Sequence, residues 1–177
     1  MRGRRGTPCA ALSACLLLPA ASAAPASRPH PGPRVAYATY VNVRFAYAVA
    51  YPKRVLFPQG EADNGDGQRF LSAHAAAVLT VYGRYNALDQ SLGDLYTEAA
   101  RGTMPNRATR VVTYRALGRN WFVVSGHGGG RIFYEKTLLD GDVIRSLEFV
   151  YPARRRRFYD PIAARIAASF RRLPGQR

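Results

Sequence analysis

The sequence has two cysteines in 177 residues, and both of them, Cys9 and Cys15, lie near the amino terminus. The rest of the chain therefore has no thiol, which excludes a disulfide framework, a catalytic thiolate and cysteine metal ligands from that part. A domain without a disulfide must be stabilised by its apolar core. The many Tyr, Phe, Val and Leu residues that follow make such a core possible.

The sequence also lacks an apolar run of the roughly 20 residues that a membrane-spanning helix requires. Its apolar stretch at Ala10–Leu18 is too short and is followed by Pro19. Three arginines precede this stretch and small residues follow it up to Ala23, a pattern typical of a cleaved export signal. We therefore expect a signal peptide over residues 1–23 and a periplasmic or secreted protein after cleavage near Ala23.

A second interpretation of the same segment is a lipoprotein signal. Residues 12–15, Leu-Ser-Ala-Cys, are similar to a bacterial lipobox, in which Cys15 would carry the lipid. This alternative would leave three leucines on the mature side and shorten the apolar region, so ordinary cleavage is favoured.

Acidic residues are scarce beside basic ones. The chain has 26 Lys and Arg against 11 Asp and Glu, a formal net charge of +15, and only Lys53 and Lys136 are lysines. GC-rich coding also produces such an arginine bias, but the charge favours anionic partners. The strongest cluster is Arg154, Arg155, Arg156 and Arg157, whose guanidinium groups match phosphate and carboxylate geometry. Expected partners are an anionic lipid or glycan, or an unknown envelope protein; export disfavours nucleic acid.

Composition and periodicity predict one domain over residues 40–172, after a flexible leader at 24–39 and before a tail at 173–177. We expect it to be monomeric. Alternating apolar residues predict a strand at 43–51, and a loop rich in Pro and Gly follows at 56–67. Extended structure restarts at Phe70 and continues at 77–82. Apolar residues at helical spacing predict a helix over 88–99, capped by Asp89 or Ser91 and ended by Gly102.

Turns alone separate the four extended runs that come next, which predicts an antiparallel four-strand meander. The runs are Arg110–Leu117, Trp121–Ser125, Arg131–Leu139 and Val143–Tyr151. A last helix is predicted to begin with Asp160 as its cap and Pro161 in its first turn. Its apolar stripe consists of Phe158, Ile162, Ile166 and Phe170. The expected fold class is α+β, a mainly antiparallel sheet covered by helices.

The spacing of aromatic residues and glycines resembles a known group of proteins. The matching segments are Phe45 to Pro52, Asn64 to Gly67 with Phe70, Asn120 to Gly126, Tyr134 to Lys136, and Ser169-Phe170. They are similar to small exported bacterial proteins of unassigned function with a PsbP/Mog1-like domain. The resemblance covers about residues 40–172 and implies an α/β/α sandwich with a non-enzymatic accessory or binding role. The chain departs from it at Ser72 to Ala75, where an acidic turn would be expected.

Candidate catalytic residues are few. His127 and the three glycines after it resemble the oxyanion loop of esterases, but the chain has no Gly-x-Ser-x-Gly elbow for a nucleophile. A hydrolase using Ser125 and His127 is therefore the less favoured alternative, and no catalytic residue is assigned. The preferred interpretation is a glycine-rich hairpin turn with His127 exposed at its tip.

The loop at 56–67 offers a candidate ligand site. Its oxygen-bearing side chains are Glu61, Asp63, Asn64 and Asp66, which we place with His127 as candidate ligand-binding residues. Their spacing does not fit an EF-hand, and no metal or other cofactor is expected. The strand aromatics Trp121, Phe122, Phe133, Tyr134 and Phe149 are expected to pack in the core rather than to form a ligand cage.

Overall fold

A computed structural model describes residues 35–102, 104 and 108–174; the predicted signal peptide and Cys15 lie outside them. The described residues form ten strands and two α-helices. In chain order these are β1 Tyr37–Asn42, β2 Tyr47–Pro52, β3 Phe57–Glu61, β4 Gly67–Leu71, β5 Val78–Tyr85, α1 Leu92–Arg101, β6 Val111–Leu117, β7 Trp121–Gly128, β8 Arg131–Asp140, β9 Val143–Pro152, α2 Arg156–Ser169 and β10 Arg171–Arg172.

The strands form two sheets. A seven-stranded sheet has the order β3-β4-β5-β9-β8-β7-β6, and a three-stranded sheet has the order β1-β2-β10. Every neighbouring pair in both sheets is antiparallel. The expected α+β class with mainly antiparallel strands is confirmed. Among the described residues, no helix is both long enough and apolar enough to span a membrane.

Each face of the seven-stranded sheet carries its own apolar cluster, because successive side chains of a strand point to opposite faces. On β9, Leu147 and Phe149 pack with β2 and α2, whereas Ile144 and Val150 pack with α1. The two helices therefore cover opposite faces of the sheet. The larger cluster lies on the α2 face, and Tyr47 from the small sheet is completely buried in it.

Helix α1 starts at one of the two predicted caps. Ser91 is the N-cap; its hydroxyl accepts from the Asp94 N–H, and the Asp94 carboxylate accepts from the Ser91 N–H at 2.9 Å. This capping box satisfies two N–H groups that the helix itself leaves unpaired. The helix buries Leu95 and Ala99 against the sheet, and Gly102 follows its last residue.

The start of α2 differs from the prediction. The helix begins at Arg156, after a 3-10 turn at Ala153–Arg155, so Asp160 and Pro161 lie inside it. Packing moves the start toward the amino terminus, because Tyr159 in the first turn is buried against Phe149 with ring centroids 5.9 Å apart. The predicted stripe is wrong at one position: Phe158 is 41% exposed, and Tyr159 takes the buried place.

Two stretches predicted to be irregular contain strands. Within the predicted loop at 56–67, β3 pairs with β4, which is possible despite Pro58 because β3 lies at the edge of the sheet. A β-bulge between Pro58 and Glu61 interrupts the pairing. The other stretch is the end of the predicted leader, where β1 begins at Tyr37 and pairs with β2.

Candidate functional site

A groove lies between α2 and the part of the large sheet that this helix does not cover. Helix α2 packs over β2, β9 and β8, and the groove continues from the helix toward β6 and β7. It consists of two adjoining depressions of about 320 and 440 Å³, which share Tyr114, Tyr134 and Ala164 in their walls. We refer to them below as the polar depression and the apolar depression.

The polar depression lies beside the first half of α2. Ser125 and His127 line it from β7, since both point to the α2 face, and Arg156 and Asp160 line it from the helix. The Tyr151 hydroxyl donates to Asp160 Oδ1 at 3.0 Å, and Arg156 Nε lies 3.5 Å from Asp160 Oδ2. Burial and the hydrogen bond to Asp160 raise the pKa of Tyr151, which therefore stays a neutral donor. Asp160, the one carboxylate that the described residues contribute to this depression, is thus already partnered.

The apolar depression lies beside the second half of α2. Its walls are formed by Trp121 and Val123 of β7, by Leu138 of β8 and by the small residues Ala164, Ala167 and Ala168 of α2, together with the two shared tyrosines. The alanines keep the space open, because a larger side chain at these positions would fill it. Among the residues that the structure describes, Lys136 is the one charged side chain in this lining.

Lys136 is held at the carboxyl end of α2. Its ammonium donates to the Ala167 carbonyl at 2.8 Å and is 3.4 Å from the Phe170 carbonyl. A cation at this end of a helix interacts favourably with the helix dipole. Burial lowers the pKa of Lys136. Across the described ranges, Lys136 forms no ion pair with a carboxylate.

The predicted arginine cluster is exposed along its whole length. Arg154 and Arg155 belong to the 3-10 turn, whereas Arg156 and Arg157 form the first residues of α2, so the four do not share one turn ahead of the helix. The Arg155 guanidinium lies 5.2 Å from the Phe158 ring centroid. Of the four, Arg156 lines the polar depression, where the fold brings it together with His127.

His127 lies within β7 rather than at the hairpin tip. It is exposed, and the turn itself is made by Gly129 and Gly130, both with positive φ. The Ser125 hydroxyl donates to the Phe133 carbonyl at 2.8 Å. Within the part of the chain that the structure describes, no hydrogen bond joins Ser125 to His127, and His127 has no hydrogen-bonded acid.

The segment that carries Glu61, Asp63 and Asp66, which we call the acidic loop, lies apart from the groove. Glu61 Oε1 accepts from the Tyr40 hydroxyl at 2.6 Å and from Asn42 Nδ2 at 2.9 Å, and the Asn64 amide donates to Asp66 at 2.8 Å. These bonds engage the carboxylates of Glu61 and Asp66 in holding the loop. In residues 35–102, 104 and 108–174, no three His, Cys, Asp or Glu side chains gather as a metal site. A ligand on Glu61, Asp63, Asn64 and Asp66 stays a prediction.

Sequence reasoning missed the groove because its walls come from distant segments. Phe122, Phe133 and Phe149 are buried as predicted, but Trp121 and Tyr134 are only partly buried and line the groove. One available signal was the run of alanines in the last helix, where larger apolar residues would be expected against a fully covered sheet.

A second polar cluster, also missed, lies on the α1 face. Arg110 donates to Glu135 at 2.8 Å, to Glu148 and to the Ala99 carbonyl at 3.0 Å. Its guanidinium lies 4.5 Å from the Phe133 ring centroid. Because these contacts engage Arg110 with both carboxylates and with the end of α1, we assign the cluster a structural role.

Comparisons with known proteins identify the fold. No family model matches the sequence, and no curated protein matches it. The domain is similar to the solution structure of cyanobacterial PsbP (CyanoP) from Synechocystis sp. PCC 6803, with a TM-score of 0.58 and 12% sequence identity over 85% of this chain and 100% of that one. At this level of sequence identity, the structural similarity is evidence for the fold alone. The chain therefore contains a domain with a PsbP-like fold.

Proposed function

We propose that this chain is an exported, non-enzymatic binding or accessory protein of the bacterial cell envelope that holds its ligand in the groove beside α2. The observation that carries the proposal is the apolar depression, whose volume of about 440 Å³ lies in the range of ligand pockets. Its mostly apolar lining with a few polar groups is also typical of such pockets. The proposal includes the finer architecture, namely the α/β/α sandwich that the resemblance implies and the four-strand meander that the turn residues predict.

The hydrogen bonding in the groove favours binding over catalysis. A serine nucleophile needs a base within hydrogen-bond reach, and that base needs an orienting group. The Ser125 hydroxyl instead donates to the Phe133 carbonyl. Asp160, the acid in the same depression, is engaged by Tyr151 and Arg156. The hydrolase alternative therefore predicts an esterase activity that His127→Ala removes; absence of activity, or activity unchanged by this substitution, would exclude it.

Binding in the groove is tested with the neutral fluorophore N-phenyl-1-naphthylamine. We expect a saturable rise in its fluorescence with the full-length mature protein. Ala164→Phe should weaken binding at least tenfold, because Ala164 is exposed and lines both depressions. The matched control is Ala87→Phe, an exposed alanine that lines neither depression. Equal binding by the wild type and the two variants would show that the probe binds outside the groove. Absence of binding to the wild type would remove the support for a ligand in the groove.

A second candidate function is an adaptor that docks on anionic lipids or glycans through Arg154, Arg155, Arg156 and Arg157. It is favoured by the exposure of all four and by the exposed Phe158 beside them, a combination that suits an anionic interface. Of the four, only Arg156 has a carboxylate partner among the described residues.

Vesicle co-sedimentation tests the adaptor. Docking predicts binding to phosphatidylglycerol vesicles but not to phosphatidylcholine vesicles, and weaker binding as salt is raised. Changing Arg154, Arg155 and Arg157 to Gln should abolish it. A control that removes the same charge from exposed positions elsewhere, namely Arg54, Arg69 and Arg115 to Gln, should retain most of it. Equal losses of vesicle binding in the two variants would show that the net charge of the protein, and not this cluster, causes the binding.

A further inference from the structure

The charges in the groove select among possible ligands. In the apolar depression, Lys136 is the one charged side chain of the lining, and it has no carboxylate partner among the described residues. The nearest acid along the groove is Asp160 in the polar depression, which Arg156 and Tyr151 already engage. In the apolar depression, the ammonium group of Lys136 would repel a cationic ligand. A neutral ligand would leave the positive charge of Lys136 without a counter-charge.

The Lys136 ammonium keeps one donor for a ligand. An ammonium group has three N–H donors. Two of them point to carbonyl oxygens at the end of α2, those of Ala167 and Phe170. The partial burial of Lys136 also makes its charge interact more strongly with an anion than a charge in water would. A single negative charge balances this site, whereas a dianion would bring an uncompensated charge into apolar surroundings.

We infer that the apolar depression binds an organic monocarboxylate, with the carboxylate on Lys136 and an apolar body against Trp121, Val123 and Leu138. This inference rests on the proposed function, because it names the ligand class of the same groove. The apolar body accounts for the alanines of α2, since Ala164, Ala167 and Ala168 leave the space that it fills.

The chain contains its own reporter for the test. Trp121 is its single tryptophan and lines the apolar depression, so its fluorescence follows occupancy directly. The probes are octanoate, 1-octanol and octylamine, which share a chain length and differ in head-group charge. We expect octanoate to change Trp121 emission at a concentration about tenfold below that needed for 1-octanol. This difference corresponds to one charge-assisted hydrogen bond, between the carboxylate and the Lys136 ammonium. Octylamine should bind more weakly than either.

Lys136 variants test the assigned partner. Lys136→Gln should abolish the preference for octanoate over 1-octanol, and Lys136→Arg should retain it. The matched control is Lys53→Gln, since Lys53 is the other lysine of the chain and is exposed outside the groove. If Lys136→Gln does not fold, the ranking of the three probes on the wild-type protein still decides the ligand class.

The outcomes separate this inference from the proposed function. Equal binding of octanoate and 1-octanol, both weakened by Ala164→Phe, would overturn the monocarboxylate and leave the groove as the binding site. A preference for octanoate that survives Lys136→Gln would overturn the role of Lys136. No response of Trp121 to any of the three probes, together with no binding of N-phenyl-1-naphthylamine, would overturn both proposals.

Discussion

Glu135 on β8 and Glu148 on β9 lie directly opposite each other in the ladder, and Arg110 donates a hydrogen bond to each carboxylate. The Arg110 side chain is 7% exposed, and those of Glu135 and Glu148 are 16% and 26% exposed. Like charges at facing positions destabilise a sheet. Arg110 offsets that repulsion. It also donates to the Ala99 carbonyl and so connects the end of α1 to these two carboxylates.

Arg110→Gln should lower the free energy of unfolding by about 2 kcal/mol or more, because it leaves two partly buried carboxylates facing each other without their cation. Urea unfolding followed by tryptophan fluorescence measures the loss. Arg115→Gln, at an exposed position on β6, should change stability by less than about 0.5 kcal/mol. Similar losses in the two variants would show that the cluster adds no particular stability.

Glu148 should make stability depend on pH. Burial raises its pKa; Arg110 acts in the opposite direction, and the facing Glu135 adds to the rise. A carboxyl with a higher pKa in the folded state contributes stability at acidic pH, and this contribution is lost as pH rises through the raised pKa. Glu148→Gln should therefore lose less stability than the wild type between mildly acidic and neutral pH. Parallel stability curves for the two proteins, measured by urea unfolding, would contradict this.

Asn42 should be essential to the acidic loop. It is fully buried; its amide donates to Glu61 and to the Gly65 carbonyl, both at 2.9 Å, and its Oδ1 accepts from the Phe45 N–H at 2.8 Å. Asn42→Ala should cost roughly 1–3 kcal/mol for each buried group left unpaired. It should also speed proteolysis within residues 61–66. The control is Asn120→Ala, at an exposed turn position. Equal cleavage rates of the Asn42→Ala and Asn120→Ala proteins would contradict the role of Asn42 in holding this loop.

Gly83 allows β5 to approach Phe45. A Cβ at Gly83 would overlap the Phe45 side chain, so Gly83→Ala should lower stability by about 1–3 kcal/mol through overpacking. In a Phe45→Ala background the same change should cost much less, which a double-mutant cycle measures. Gly93→Ala, in the exposed first turn of α1, should instead stabilise by up to about 1 kcal/mol. An unchanged cost in the Phe45→Ala background would disprove the overlap.

The strands from β6 to β9 could be predicted from the sequence because each pairs with the next one along the chain. Their alternation and their turn residues are local signals, and the observed bounds differ from the predicted ones by three residues at most. The start of α2 could not be predicted in the same way. Asp160 and Pro161 have the composition of a helix start, but burial of Tyr159 moves the start of the helix from Pro161 back to Arg156, by more than one turn.

The groove could be predicted only in fragments. The sequence indicates His127 and Arg156 as candidate binding residues for different reasons, and no local pattern indicates that they line one depression. In the sequence, Lys136 stands out only as one of two lysines and as the end of one segment of the family resemblance. Its role depends on the carboxyl end of α2, about 30 residues later in the chain, which provides its two carbonyl acceptors. Contacts of this kind are tertiary, and the period of a strand does not encode them.

The order of the large sheet also determines how the chain has to assemble. Strands β3 to β5 and strands β6 to β9 are each joined by short connections, whereas β5 and β9 become neighbours only when the chain between Tyr85 and Val143 closes. That closure carries the largest entropic cost in this sheet. Until it occurs, β5 and β9 are edge strands whose apolar residues and unpaired backbone are open to other chains. The central seam of the native sheet is thus the point at which folding competes with aggregation.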